Sequence, residues 1–317
     1  MTYQPTAISD DLGTLPNLPA CVTFRRAETL ETVAFQSGAV LTVLDQLVSD
    51  PTHGVPVKLL ANQLALQAAT ATSKLEGRLA READIRDAYH LTPLGEARGP
   101  DGDLLAFWRE AVGLRAGGIG KTADLLGEDV ASEVGVWLDV GQERARTHGP
   151  VAGCVAVLHA VLKTEDRAER VACLLSDVVL AQALNWATVL PVTAQRLTKA
   201  VLRDLVADGQ GDELAVQHRI LESLEDTIRL ARDLSSRAAS LWAIAPKLRA
   251  KGSDAAVALF LSEDAVAPSA MLSPMIQGTT IPMTDRAARR FCDRLVELGV
   301  ARELTGRPTF RLYGIVR

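Results

Sequence analysis

Three observations predict a mainly α-helical protein that ends in a smaller unit carrying a β-hairpin. Apolar residues recur every three or four positions over most of the chain. Clear β-type runs appear only after residue 300. The apolar content, 48% of 317 residues with only 4% aromatic, is carried by Ala, Leu and Val, a mix that favours helices. The length suits two units, each with its own core.

Residues 1–27 carry Pro5, Pro16 and Pro19 among polar residues and read as an extended or disordered leader. A bundle is expected over 28–252. Leu30, Val33, Leu41, Leu44, Leu47 and Val48 mark its first helix, ending at Asp50-Pro51. Helices are then expected over 56–79 and 81–90, with Pro56 tolerated in a first turn. The Pro/Gly-rich stretch 92–102 reads as a loop and 104–114 as helix, followed by a Gly-rich break at 116–120. Further helices are expected over 129–146, 151–163, 167–186, 193–207 and 213–245, eight or nine in all. No repeat is visible, which disfavours a solenoid.

Residues 246–252, with Lys247, Arg249 and Lys251, form the expected junction to a unit over 253–317. Its first helix is expected over 254–264 and a second over 270–276, followed by a turn at 277–282. Thr284 can cap a third helix whose Ala288, Phe291, Leu295 and Leu298 make one apolar stripe, stopped by Gly299. Residues 300–304 and 309–315 then flank Thr305-Gly306-Arg307-Pro308 as two strands. Helix, helix, turn, helix, strand, turn, strand is the order of a winged helix, so the predicted fold is a helical bundle with a C-terminal winged-helix domain.

Charge points the same way. The formal net charge is −5, yet residues 280–317 hold eight Arg against four acidic residues. Arg286, Arg289 and Arg290 fall away from the apolar stripe, where a recognition helix meets the major groove of duplex DNA. Arg307 at the turn and Arg302 and Arg311 on the strands suit flanking phosphates. These six are the candidate DNA-binding residues. The expected function is a non-enzymatic transcriptional or mobile-element regulator, with the bundle docking a protein partner or a second copy. The alternative is an interaction or scaffold protein whose basic residues make internal pairs.

Other chemistry finds little support. Cys21, Cys154, Cys173 and Cys292 are scattered and the five His are dispersed, so buried thiols are expected, with no metal and no cofactor. Gly117-Gly118-Ile119-Gly120-Lys121-Thr122 is only a partial phosphate-binding loop, since Arg115 stands where a Gly is needed and the preceding segment reads as helix. Thr72-Ser73-Lys74-Leu75-Glu76-Gly77 fits the inhibitory-helix pattern of Fic-type nucleotidyl transferases, whose Glu pairs with a catalytic Arg; the catalytic His-Pro-Phe stretch is absent. No apolar stretch is long enough to span a bilayer and no signal peptide opens the chain, so a cytoplasmic protein is expected.

Four segments carry a family resemblance: 84–91 (Asp-Ile-Arg-Asp-Ala-Tyr-His-Leu), 245–252 (Ala-Pro-Lys-Leu-Arg-Ala-Lys-Gly), 285–290 (Asp-Arg-Ala-Ala-Arg-Arg) and 304–314, from Leu304-Thr305-Gly306-Arg307 to Tyr313-Gly314. They resemble domain of unknown function 1403, an alphaproteobacterial family often found on plasmids. The resemblance covers most of the chain after the leader and implies no catalytic residue.

Overall fold

The computed structural model describes residues 15–23, 27–93, 95–165, 167–207, 212–248 and 251–315. Thirteen α-helices and one two-stranded antiparallel hairpin lie among them. After α1 (Ala20–Thr23), the helical body consists of α2 (Leu30–Ser49), α3 (Val57–Leu75), α4 (Glu82–Leu91), α5 (Gly99–Val112), α6 (Ile119–Leu126), α7 (Glu128–His148), α8 (Pro150–Thr164), α9 (Glu169–Ala183), α10 (Lys199–Val206) and α11 (Glu213–Ile244). The C-terminal segment adds α12 (Ser253–Phe260), α13 (Asp285–Glu297), β1 (Arg302–Glu303) and β2 (Tyr313–Gly314).

Local chemistry sets many of these boundaries. Thr29 and Thr32 close a capping box at the start of α2. Gly77, at φ +83°, turns the chain sharply after α3, so that helix stops short of the expected residue 79. Helix α5 begins five residues earlier than the expected 104, because Pro100 is tolerated in its first turn. The expected helix 193–207 is broken: a 3₁₀ turn covers Thr193–Arg196, and Thr198 caps a separate α10 through its bond from the Val201 amide. Of the expected leader, 1–14 and 24–26 lie outside the described residues, whereas the Leu15 and Pro16 carbonyls accept from Arg232 Nη1 at 2.8 and 2.6 Å.

The core is one cluster that runs from Val22 on α1 to Ile315 after β2. Helices α7, α8 and α9 pack together most intimately, and two glycines permit it. A Cβ on Gly153 would lie 2.6 Å from the Gly141 carbonyl oxygen, and one on Gly141 would lie 2.7 Å from Val179 Cγ2. Cys154, Cys173 and Cys292 are buried, and burial raises their thiol pKa values, to about 12 for Cys154. No helix among the described residues is long and apolar enough to cross a membrane.

Candidate nucleic-acid interface

Helix α13 is built largely by local rules. The Thr284 hydroxyl accepts the Ala287 amide at 3.3 Å, and Asp285 in the first turn complements the helix dipole. Ala288, Phe291, Cys292 and Leu295 are buried, with Phe291 tilted against Phe260 of α12. Gly299, at φ +72°, ends the helix in the left-handed region as its position predicts. The expected second helix, 270–276, is instead a single π turn at Pro268–Leu272, because Pro274 has no amide hydrogen to continue it and the Ile276 amide bonds forward to the Ile281 carbonyl.

The hairpin pairs only Arg302 with Gly314 and Glu303 with Tyr313, so less of 300–304 and 309–315 is strand than expected. Its connecting turn is organised by one side chain. Glu303 accepts the Thr305 amide at 2.9 Å, the Gly306 amide at 2.8 Å and the Thr305 hydroxyl. Partial burial pushes that carboxyl up, but these donors outweigh it and hold the pKa below the ordinary value. Val266 adds a further antiparallel bridge to Tyr313 on the other side of β2. The buried Tyr313 hydroxyl donates to Asp293 of α13 at 3.0 Å, which locks the hairpin to that helix.

All six candidate arginines are exposed. Arg289 pairs with Asp285 at 3.0 Å, one turn away on the solvated face. Arg311 lies 3.9 Å from Asp293 and donates to the Arg307 carbonyl at 3.2 Å. Arg286, Arg290 and Arg302 make no ion pair among the described residues. On α13, Arg290 lines a groove with Lys247, Leu248, Phe291 and Arg294. Arg307 reaches away from α13 to Asp87 of α4 at 3.4 Å. Beside it, Arg86 donates to Asp87 at 2.8 Å and to the Leu304 carbonyl at 3.0 Å, fastening the turn to the helical body.

A second set of contacts, invisible to linear spacing, joins the C-terminal segment to α3, α4 and α5. Arg109 grips both Glu263 and Asp264, and His90 Nε2 lies 3.2 Å from Asp264. Lys58 approaches Glu263 at 3.8 Å, and Asn62 Nδ2 donates to the Ser262 carbonyl at 2.6 Å. Burial pushes the Asp264 carboxyl up, yet His90 and Arg109 more than offset it and hold its pKa below the usual carboxylate value. The guanidiniums of Arg98 and Arg109 both lie over the Tyr89 ring, at 4.9 and 5.1 Å from its centroid.

The two tempting motifs resolve differently. Arg115 bridges Thr188, the segment before the glycines is helical, and the Thr122 hydroxyl donates to the Gly118 carbonyl at 3.2 Å inside the protein. Gly117 and Gly118 therefore connect into α6, and Ile119 to Thr122, where a flexible connection is expected, are its first turn. Glu76, in contrast, accepts Arg170 Nε from α9 at 2.8 Å and Arg78 at 2.9 Å, and Arg170 lies 5.2 Å over the Phe107 ring. Among the described residues no group of His, Cys, Asp and Glu is placed to hold a metal ion.

The molecule thus defines a class: a mainly helical protein with a small C-terminal hairpin locked to an arginine-rich helix. The chain belongs to the family of proteins of unknown function designated DUF1403, whose sequence model matches residues 6–315. No curated protein matches it.

Proposed function

We propose that the C-terminal segment is a winged helix that binds duplex DNA, and that the protein is a non-enzymatic regulator of transcription or of a mobile element. The observation that carries this reading is the exposure of Arg286, Arg289 and Arg290 along a capped helix whose other face is buried. Support also comes from the element order, in which Val266 bridges Tyr313 and so sets a third extended segment beside the hairpin ahead of α13. Arg302 and Arg311 on that hairpin are suited to phosphates on either side of the groove. The test is electrophoretic or anisotropy binding of the full chain to a pool of random duplexes. Log affinity should fall linearly with log salt, and Arg289→Ala with Arg290→Ala should weaken it at least tenfold. Absent or salt-independent binding would sink the reading.

A second reading, a scaffold on a Fic-like helical framework without the catalytic stretch, is favoured by the Glu76 to Arg170 pair. It joins the glutamate of the inhibitory-helix pattern to an arginine 94 residues on. Calorimetric titration with ATP tests it: the scaffold reading expects no heat from the wild type or from Glu76→Gly. Binding gained on the substitution would replace it with a nucleotide-binding reading.

A further inference from the structure

Two surfaces of this chain complement each other in both charge and apolarity. The first lies on α7, where Val136 and Val140 are 57% and 44% exposed, one helical turn apart. At 3.6 residues per turn, Asp129, Glu133, Asp139 and Glu143 project around those two valines on the same outward face. All four carboxylates are exposed; Glu143 pairs with the exposed Arg146, and the other three make no ion pair among the described residues. The inward face of α7, with Val134, Trp137 and Leu138, is buried against the body, so the valine stripe is surplus to core packing.

The second surface is the groove between the end of α11 and α13. Its floor is apolar, formed by Leu248, Ala287 and Phe291, and its rim is cationic, formed by Lys247, Arg290 and Arg294. Lys247 and Arg290 make no ion pair among the described residues, and Arg294 has only the exposed Glu297 at 2.9 Å. Around α13, Arg290 and Arg294 line this groove, Arg286 lies one turn before Arg290 on the same exposed face, and Arg289 projects away from the groove.

We propose that the acidic valine stripe of α7 on one copy seats in the basic-rimmed groove beside α13 on a second copy, giving head-to-tail self-association. A second copy is the occupant because the chain itself carries a helix of the required length, charge and apolar spacing, and that helix faces solvent. One helix face in one groove buries less than a standard stable interface, so the association is weak and salt-sensitive. The two patches differ, so the contact is heterologous and either closes a ring or extends an open chain. It does not depend on DNA binding.

Sedimentation velocity of the full chain over a concentration series, at ionic strengths of about 0.05 and about 0.5 M, tests it. Association is expected at the lower strength and its loss at the higher. Glu133→Lys with Asp139→Lys removes it from one side, and Arg290→Glu with Arg294→Glu from the other, each weakening self-association at least tenfold. Neither double variant associates alone, but an equimolar mixture does, because an intact stripe then meets an intact groove. A wild type that stays monomeric at low salt, association indifferent to both variants, or a mixture that stays monomeric would each overturn the proposal.

Discussion

Arg109 on α5 forms a buried ion pair with Asp264, 155 residues further on, and so ties the start of the C-terminal segment to the helical body. The same guanidinium takes Glu263, so two carboxylates from the C-terminal segment are held by one side chain from the body. His90 and Lys58 complete the surroundings of that pair.

Removing Arg109 leaves both carboxylates short of a partner in a site where Asp264 has no exposed side-chain surface. Arg109→Ala should therefore destabilise by about 3–5 kcal/mol, and Arg109→Lys by less, since the ammonium keeps the charge but not the fork. Urea unfolding of the full chain measures this. An unchanged midpoint for Arg109→Ala would show that the pair contributes nothing net. Asp264 adds a pH signature: its depressed pKa supplies stability that is present above about pH 4 and lost as pH falls through the folded value, so acid should loosen this junction.

Asp177 titrates in the opposite sense. Its Oδ1 accepts the Val192 and Thr193 amides at 3.0 and 2.9 Å, while Oδ2 is buried with no hydrogen-bond partner among the described residues. Burial outweighs those donors and raises the carboxyl to about 8. A raised folded pKa means full stability below the unfolded value near 3.8, and progressive loss as pH rises toward 8. Asp177→Asn keeps an acceptor for both amides and cannot ionise. Its stability relative to wild type should therefore increase by a few kcal/mol between pH 4 and pH 8, read from paired denaturation curves. A pH-independent difference would contradict the assignment.

These two residues also show what is legible in sequence. Helix α13 is readable because Thr284, Gly299 and the stripe from Ala288 to Leu295 are local signals that agree. The break at Leu197 and the early start of α5 were not, since Thr198 could as well sit inside a helix and Pro100 could as well end one. Arg109, Asp264 and Asp177 were silent for another reason. An isolated charged residue in an amphipathic helix reads as solvated face, and only the packing of distant elements reveals that it is buried. The one distant pair with a linear hint is Glu76 and Arg170, because the pattern around Glu76 implies an arginine partner without locating it.

The glycines of the α7–α8 crossing offer a steric test. A methyl group on Gly153 would meet the Gly141 carbonyl oxygen at 2.6 Å and the Ala145 Cβ at the same distance, and neither is the end of a flexible chain. Gly153→Ala should therefore cost about 1–3 kcal/mol despite alanine's higher helix propensity. Gly135, on α7, has open space around it, so Gly135→Ala should be neutral or slightly stabilising. Thermal melts of the two variants should move in opposite directions or, at least, separate clearly; equal shifts would mean that α7 and α8 do not approach this closely.

The position of Arg307 makes a prediction about the proposed DNA interface. Its guanidinium is held 3.4 Å from Asp87, so it must give up that partner before it can reach a phosphate. Arg307 is 57% exposed, and an ion pair of that kind is worth at most about 1 kcal/mol. Asp87→Asn retains an oxygen for Arg86 and removes the charge that competes for Arg307. Duplex affinity should rise by roughly two- to fivefold, and the slope of log affinity against log salt should steepen by up to about 0.9, the value of one added phosphate contact. The double variant Asp87→Asn with Arg307→Ala should lose both gains. If Asp87→Asn binds no more tightly, or if its gain survives the loss of Arg307, the turn takes no part in holding DNA and the contact must rest on α13 and the strands alone.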